Sequence, residues 1–223
     1  MANSLAWHAL LSSNDKAIGE VANVKGGIFD IYIYPEFYPN INVGNIIVIN
    51  SEKFKLLGIV LKLAHETRLG SFTPLRKSRN EINQTYPDLE RYHSFVSTIV
   101  YTSHLNLTSE KSEIFHRRAG MPKLHDLAFI VQENDLLDTF FKPNGLWDFS
   151  FLKYYIKEGA SIIEVNDLLY YHKDYFKSKI NQDKKSFYKA FIKALIEAEV
   201  EDIATYMEIL EEVLKWCMKI LKN

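Results

Sequence analysis

The feature that most constrains the fold is a series of short apolar segments, separated by glycine or proline, near the start of the chain. Residues 16–50 hold three such segments, with Gly26-Gly27, Pro35 and Pro39 between them. A further apolar segment follows at Phe54–His65. Strands this close together, with turns between them, predict a small closed β-barrel rather than a doubly wound α/β sheet.

Alternation of apolar and polar residues supports these strands. In Ile28–Tyr34, the side chains of Phe29, Ile31 and Ile33 point to the opposite face from those between them, as in a half-buried strand. Gly58 predicts a bulge or a barrel corner inside its strand. The predicted strands are Ala17–Val24, Ile28–Tyr34, Asn45–Asn50, Phe54–His65, Arg91–His104 and Leu127–Val131.

The apolar period becomes helical from Asn134 onward. The predicted helices are Asp135–Phe141, Phe149–Lys157, Ile163–Ile180, Lys184–Val200 and Asp202–Leu221. We therefore predict an α+β chain in which a small closed β-barrel, residues 1–131, precedes a C-terminal α-helical domain, residues 132–223.

The last predicted helix carries a single apolar seam. Its members recur at spacings of four and three residues: Ile203, Met207, Leu210, Leu214, Cys217 and Leu221. Packing against Lys184–Val200 as an intramolecular hairpin is the favoured interpretation, since neighbours in sequence tend to pack together. A homo-oligomer formed through the seam is the alternative.

Composition excludes several classes of protein. The net charge is −1, with 27 basic and 28 acidic residues, so any role in nucleic-acid binding must rest on a local patch. A single cysteine, Cys217, excludes an intramolecular disulfide and fits a reducing compartment. No apolar run is long enough to span a membrane, and the first residues lack the basic start of a signal peptide. We expect a cytoplasmic protein without membrane contact.

Common catalytic motifs are missing from the sequence. None of the nine glycines precedes a lysine, so a P-loop is excluded, and neither a Gly-x-Ser-x-Gly elbow nor a His-Glu-x-x-His pair occurs. His65, His116 and His125 match no spacing of metal ligands, and a metal site is the less favoured interpretation. We expect no cofactor.

Two basic clusters are candidates for contact with phosphate or with a partner's carboxylates. Arg68, Arg76, Lys77 and Arg79 fall in a stretch without acidic residues, and Arg117 and Arg118 lie in a second loop. The guanidinium group pairs with phosphate or carboxylate through two hydrogen bonds. A solvated surface is the favoured interpretation of the basic residues, because phosphate binding requires them to cluster in space.

Four segments of the chain resemble the HerA–ATP synthase (HAS) barrel, the small β-barrel that opens archaeal HerA-like DNA translocases. They are Ile18-Gly19-Glu20-Val21, Gly27–Tyr34, Val43-Gly44-Asn45-Ile46-Ile47 and Leu57-Gly58-Ile59-Val60. The segments at His65–Leu89 and His116–Val131 resemble a loop and the barrel exit of the same family. The resemblance covers roughly the first 130 residues and does not extend to the ATPase core, whose Walker A loop is missing.

The resemblance implies a non-enzymatic accessory or assembly module in HerA-type DNA processing or repair. Its partner would be a HerA-type motor or a nuclease, and DNA is a further candidate ligand. Two alternatives stay open. One is a divergent metal-dependent nuclease in which acids such as Asp30, Glu36 and Asp88 converge on a metal. The other is an oligomeric scaffold unrelated to DNA.

Overall fold

The architecture is α+β, with a closed β-barrel near the N-terminus and helices after it. It comes from a computed structural model that describes residues 2–52, 54–67, 93–181 and 183–219. Six antiparallel strands close in the order β1-β7-β3-β4-β5-β2, and β2 returns to β1. The strands are β1 (Gly19–Lys25), β2 (Ile28–Ile33), β3 (Ile46–Asn50), β4 (Lys55–Thr67), β5 (His93–Leu107), β6 (Ser112–Phe115) and β7 (Leu127–Val131).

The length of β5 accounts for the closure. Its first part pairs with β2, with Ile28 opposite Val100 and Ile33 opposite Phe95, while its other edge pairs with β4 along most of its length. The last residues of β5 extend past β2 and pair with β6 instead. One strand therefore closes the barrel and also carries a short hairpin outside it.

Apolar side chains fill the barrel interior. Phe29, Ile31 and Ile33 point inward from β2, as the alternation predicts, and they pack with inward residues of the other strands such as Ile47 and Tyr101. The rings of Phe29 and Tyr101 stack with their centroids 5.3 Å apart. The interior is a packed core, as expected for a small barrel.

Two glycines are required where strands approach closely. A Cβ on Gly19 would lie 2.0 Å from the carbonyl oxygen of Tyr32 on the paired strand, and a Cβ on Gly58 would lie 2.6 Å from that of Val100. The register of β4 against β5 shifts at Leu57/Gly58. The bulge predicted at Gly58 is therefore confirmed.

Seven α-helices are found among the described residues. They are α1 (Ala2–Leu11), α2 (Asn134–Phe141), α3 (Leu152–Lys157), α4 (Ile162–Tyr171), α5 (Lys173–Ile180), α6 (Lys184–Glu197) and α7 (Ile203–Lys219). The prediction of one helix over Ile163–Ile180 is wrong, because the chain turns at His172. That residue leaves the helical conformation at ψ 17° and turns its ring onto the barrel.

The helices and the barrel share a continuous core. In β3, Ile47 and Ile49 point into the barrel, whereas Ile46 and Val48 point outward and pack with the helices. Aromatic side chains dominate the helical side, and Phe149 lies within ring-contact distance of Phe141, Phe151, Phe176, Phe187 and Phe191. The helical region therefore covers an apolar outer face of the barrel.

Two elements escaped prediction. Helix α1 carries the fully buried Trp7 and packs beside α2, so the start of the chain belongs to the helical layer. Strand β6 has only four residues, and its apolar and polar residues do not alternate. Neither segment shows a period long enough to identify it from sequence.

A fragment of residues 1–131 is expected to contain mainly β-structure but to self-associate. Removing the helices exposes the outward side chains Ile46, Val48, Ile59, Phe129 and Val131, and a large exposed apolar patch favours association. Circular dichroism and size-exclusion chromatography of the fragment test this expectation. A monomeric fragment that unfolds cooperatively would contradict it and would support two independent domains.

Candidate functional site

The first predicted basic cluster lies outside the described residues. Arg68, Arg76, Lys77 and Arg79 all belong to the segment 68–92, which joins β4 to β5. Their contact with phosphate or with a partner stays a prediction.

Arg118 is held by contacts within the protein. Its Nε donates to the carbonyl of Tyr101 at 2.7 Å, and its guanidinium pairs with Glu158 at 2.7 Å. The guanidinium carbon also lies 4.7 Å from the centre of the Tyr154 ring. A Cβ on Gly27 would lie 2.2 Å from this guanidinium, so the glycine of the β1–β2 turn leaves the room that Arg118 occupies. A phosphate at Arg118 would have to displace Glu158.

The neighbouring loop is fixed by the same strand. The Tyr101 hydroxyl donates to the carbonyl of Ala119 at 2.6 Å and accepts from its N–H at 2.6 Å. Arg118 and Ala119 thus bind the loop after β6 to the end of the barrel. Arg117, one residue earlier, points to solvent, with its guanidinium carbon 5.3 Å from the centre of the Phe115 ring.

A groove of about 610 Å³ opens beside Arg117. One wall is β6 with the two residues after it, and the opposite wall is the face of α6 that carries Ala190, Lys193 and Glu197. Thr139 of α2 and the segment between α2 and α3, including Leu146 and Trp147, form the rest of the lining. This volume falls in the range of known ligand sites.

A buried serine and histidine pair lies behind the groove. Ser103 Oγ and His116 Nδ1 are hydrogen-bonded at 2.7 Å, and the imidazole packs edge-on against Phe140 and Phe151. Burial lowers the pKa of His116 to about 4, and the Asp148 carboxylate offsets only part of that effect. Ser103 is completely buried, so no substrate reaches its hydroxyl and the pair serves the core.

A second buried histidine joins the helices to the barrel. His172 donates from Nε2 to the carbonyl of Gly44 at 3.2 Å, and its ring packs edge-on against Phe141. Burial lowers its pKa to about 4, while the hydrogen bond to Gly44 opposes that shift. Both buried histidines are therefore neutral at physiological pH.

The carboxylates proposed for a metal-dependent nuclease do not meet in the described chain. Asp30 accepts hydrogen bonds from Asn23 and Thr98, at 2.9 and 3.0 Å, on the outer face of the barrel. Glu36 is exposed in a short 3-10 helix, and Asp88 lies outside the described residues. No group of three or more potential metal ligands is found among the residues described.

The remaining histidines of the sequence analysis have separate neighbours. His65 packs against Tyr38 and Phe95 at one end of the barrel, with ring centroids 6.0 and 5.1 Å away. His125 lies 3.3 Å from Glu20, at the start of the barrel's β1–β7 pairing. Neither lies beside the buried His116.

The apolar seam of α7 faces the interior of the protein. Leu210 and Leu214 are buried in the shared core, and Ile203 and Met207 pack against it. Helix α7 lies against α5 and α4 as well as α6, so its surroundings are wider than the predicted hairpin. The side chains of Cys217 and Leu221 are not among those described.

The groove was missed at the sequence level. Its walls come from segments about eighty residues apart, and β6 itself escaped prediction. The one signal in the sequence is Arg117, a basic residue in a predicted loop.

Comparison with protein-family models finds no matching family, and comparison with curated proteins finds no similar sequence. The resemblance to the HAS barrel and the cytoplasmic location therefore stay predictions. Within the described ranges, no helix combines the length and apolar character needed to cross a membrane.

Proposed function

We propose that this protein is a non-enzymatic assembly module that docks a protein partner in HerA-type DNA processing. The observation that carries the proposal is a closed, solidly packed six-stranded barrel whose outer face is partly covered by helices and partly bordered by an open groove. A filled barrel offers a rigid surface rather than a reaction chamber.

The residues behind the family resemblance support this proposal. Gly19 and Gly58 occupy positions where a side chain would collide with the neighbouring strand, and Gly44 has a φ of +85° at the entry to β3. These motif glycines therefore shape the barrel corners. A barrel with these features fits the assembly role that the resemblance implies.

The contacts of buried and half-buried titratable groups inside the protein give further support. His116 and His172 are buried and neutral, and Asp138 is bound by Tyr175 at 2.8 Å and by Lys179 at 2.6 Å. These groups hold the helices to one another and to the barrel. Their chemistry is used in the fold, which favours docking over catalysis.

Capture of the tagged full-length protein from its own cells, followed by cross-linking and mass spectrometry, tests the proposal. We expect a DNA translocase or nuclease to be recovered, with cross-links to the barrel.

Salt dependence of DNA binding by the purified protein tests the basic segment. Replacing Arg76, Lys77 and Arg79 with alanine should reduce the slope of log K for DNA binding against log salt concentration by about 3 if all three contact phosphate. Lys185 and Lys189, two exposed lysines of α6, provide a matched control when replaced with alanine.

Metal-dependent cleavage of DNA decides between this proposal and the nuclease alternative. We expect no cleavage with Mg²⁺ or Mn²⁺. Cleavage that survives repurification and disappears in Asp30→Asn would overturn the assembly role. Capture that recovers only further copies of this chain would favour the scaffold unrelated to DNA.

A further inference from the structure

The groove follows the open edge of a strand. All four residues of β6 line it, as do His116 and Arg117 after the strand. Successive side chains of a strand point to opposite faces, so a groove above one face would be lined by every second residue. Contact with both sets places the groove beside the edge of β6.

This edge is unpaired in the described part of the chain. β6 pairs with β5, with Ile114 opposite Leu105. No described strand pairs with the other edge of β6. An open edge presents backbone N–H and C=O groups that an added strand can satisfy. The four residues of β6 at ~3.3 Å each provide about 13 Å of edge.

Two of the three carboxylates that line the groove are paired with a lysine. Glu113 pairs with Lys111, Glu197 lies 3.6 Å from Lys193, and Asp148 accepts from the N–H of Ser150. Arg117 makes no ion pair with any described carboxylate and contacts the Phe115 ring instead. An occupant that carries a carboxylate at this end would complement the groove.

The aromatic part of the lining also has an unused donor. The indole N–H of Trp147 is buried with no hydrogen-bond partner among the described residues, and the residue is 6% exposed. Leu146, beside it, is 69% exposed and offers an apolar contact.

We propose that the groove between β6 and α6 binds an extended acidic segment of a partner protein, which adds to β6 as a further strand. The inference rests on the proposed docking function in taking the occupant to be a protein. Backbone hydrogen bonds to β6 supply affinity, and the carboxylate near Arg117 with an apolar residue near Leu146 supplies selectivity.

Selection of phage-displayed random heptapeptides on the purified full-length protein provides a probe. We expect enriched peptides to alternate apolar and polar residues and to carry Asp or Glu at one position. In titrations with a fluorescein-labelled enriched peptide, Arg117→Glu should weaken binding at least about fivefold, because an attraction becomes a repulsion. Lys189→Glu makes the same charge change on the exposed part of α6, outside the groove lining, and should leave the affinity unchanged.

Backbone methylation of the peptide tests strand addition on the wild-type protein. Only every second residue of an added strand forms backbone hydrogen bonds with its neighbour. N-methylation of the peptide at those residues should weaken binding about tenfold, and N-methylation at the residues between them should weaken it much less. Ala190→Trp, which fills the groove from α6, should abolish binding. Equal effects of N-methylation at the two sets of peptide residues, or unchanged binding to Ala190→Trp, would overturn the proposal.

Oligomeric state supplies the remaining outcome. A homodimer that Ala190→Trp dissociates would assign the groove to a second copy and overturn the partner segment. The peptide measurements use this protein alone. They give a negative result only if the groove does not bind a peptide as an added strand. Failure of the proposed function would instead appear in the capture experiment.

Discussion

Acidification from pH 7 to pH 4 is expected to destabilise this protein by several kcal/mol. Burial lowers the pKa of His116 and of His172 from 6.5 to about 4 in the folded state. The unfolded chain therefore binds more protons than the folded chain between these pH values. The contribution of these two histidines to the free energy of unfolding is complete above pH 6.5. It falls as the pH drops from 6.5 to 4 and changes no further below pH 4.

The size of the effect follows from the shifts. A pKa difference of about 2.5 units corresponds to about 3 kcal/mol for each histidine, and net stabilities of domains are ~5–15 kcal/mol. Protonation places a charge in these buried sites, which disfavours the folded state. Loss of both histidines' contributions should release the helices from the barrel.

Urea unfolding between pH 4 and pH 8 measures this dependence. His172→Gln, which keeps a donor for the Gly44 carbonyl, should reduce the change in stability across the window by about half. His125→Asn, at an exposed side chain with positive φ, should keep the full acid dependence because both buried histidines remain. A wild-type stability that stays constant from pH 7 to pH 4.5 would contradict the expectation.

Substitution of Gly44 by alanine is expected to lower the melting temperature by roughly 10 °C or more. Gly44 has a φ of +85°, which costs an L-residue about 1–2 kcal/mol. The new Cβ would also lie 2.5 Å from the Cα and 2.7 Å from the backbone nitrogen of Leu168 in α4. Backbone atoms inside a helix cannot move aside singly, so α4 must shift as a whole.

The shift would also disturb the neighbouring hydrogen bond, in which His172 donates to the carbonyl of Gly44. Strain and displacement together place the loss among the large effects of single substitutions, about 4 kcal/mol. For a chain of this length each kcal/mol lowers the melting temperature by roughly 2–4 °C.

Gly145→Ala provides the matched control for this substitution. Gly145 has a similar φ of +79°, but no atom of the described residues lies within 4 Å of its added Cβ. It should therefore lose only the conformational part, about 1–2 kcal/mol. Calorimetric melting of both variants separates the two contributions, and equal losses would show that α4 does not rest on Gly44.

Most strands of the barrel could be predicted from sequence because the information is local. The alternation in β2 and the apolar run of β7 identify each strand within one or two residues of its observed ends. The bulge at Gly58 was likewise predicted, since glycine inside a strand signals close approach of a neighbour. The helical period after Asn134 located the helices, with the break at His172 as the error.

The candidate site could be predicted only in fragments. Arg117 stands out as a basic loop residue, but its position on a groove depends on β6, a strand too short to recognise and without alternating apolar residues. Arg118 was selected with it, yet its guanidinium pairs with Glu158, forty residues further along the chain. The residue type indicates which groups a side chain can bind, and the surrounding fold determines which of those groups reaches it.

Local residue patterns specify the period and position of most strands and helices and the apolar content of the barrel, because these depend on residues a few positions apart. Tertiary structure alone decided the closure of β2 on β5, the docking of the helices on the outer face of β3, and the groove between β6 and α6. Each of these joins segments far apart in the chain. Such pairings are selected by the packing of the whole core, which no local pattern encodes.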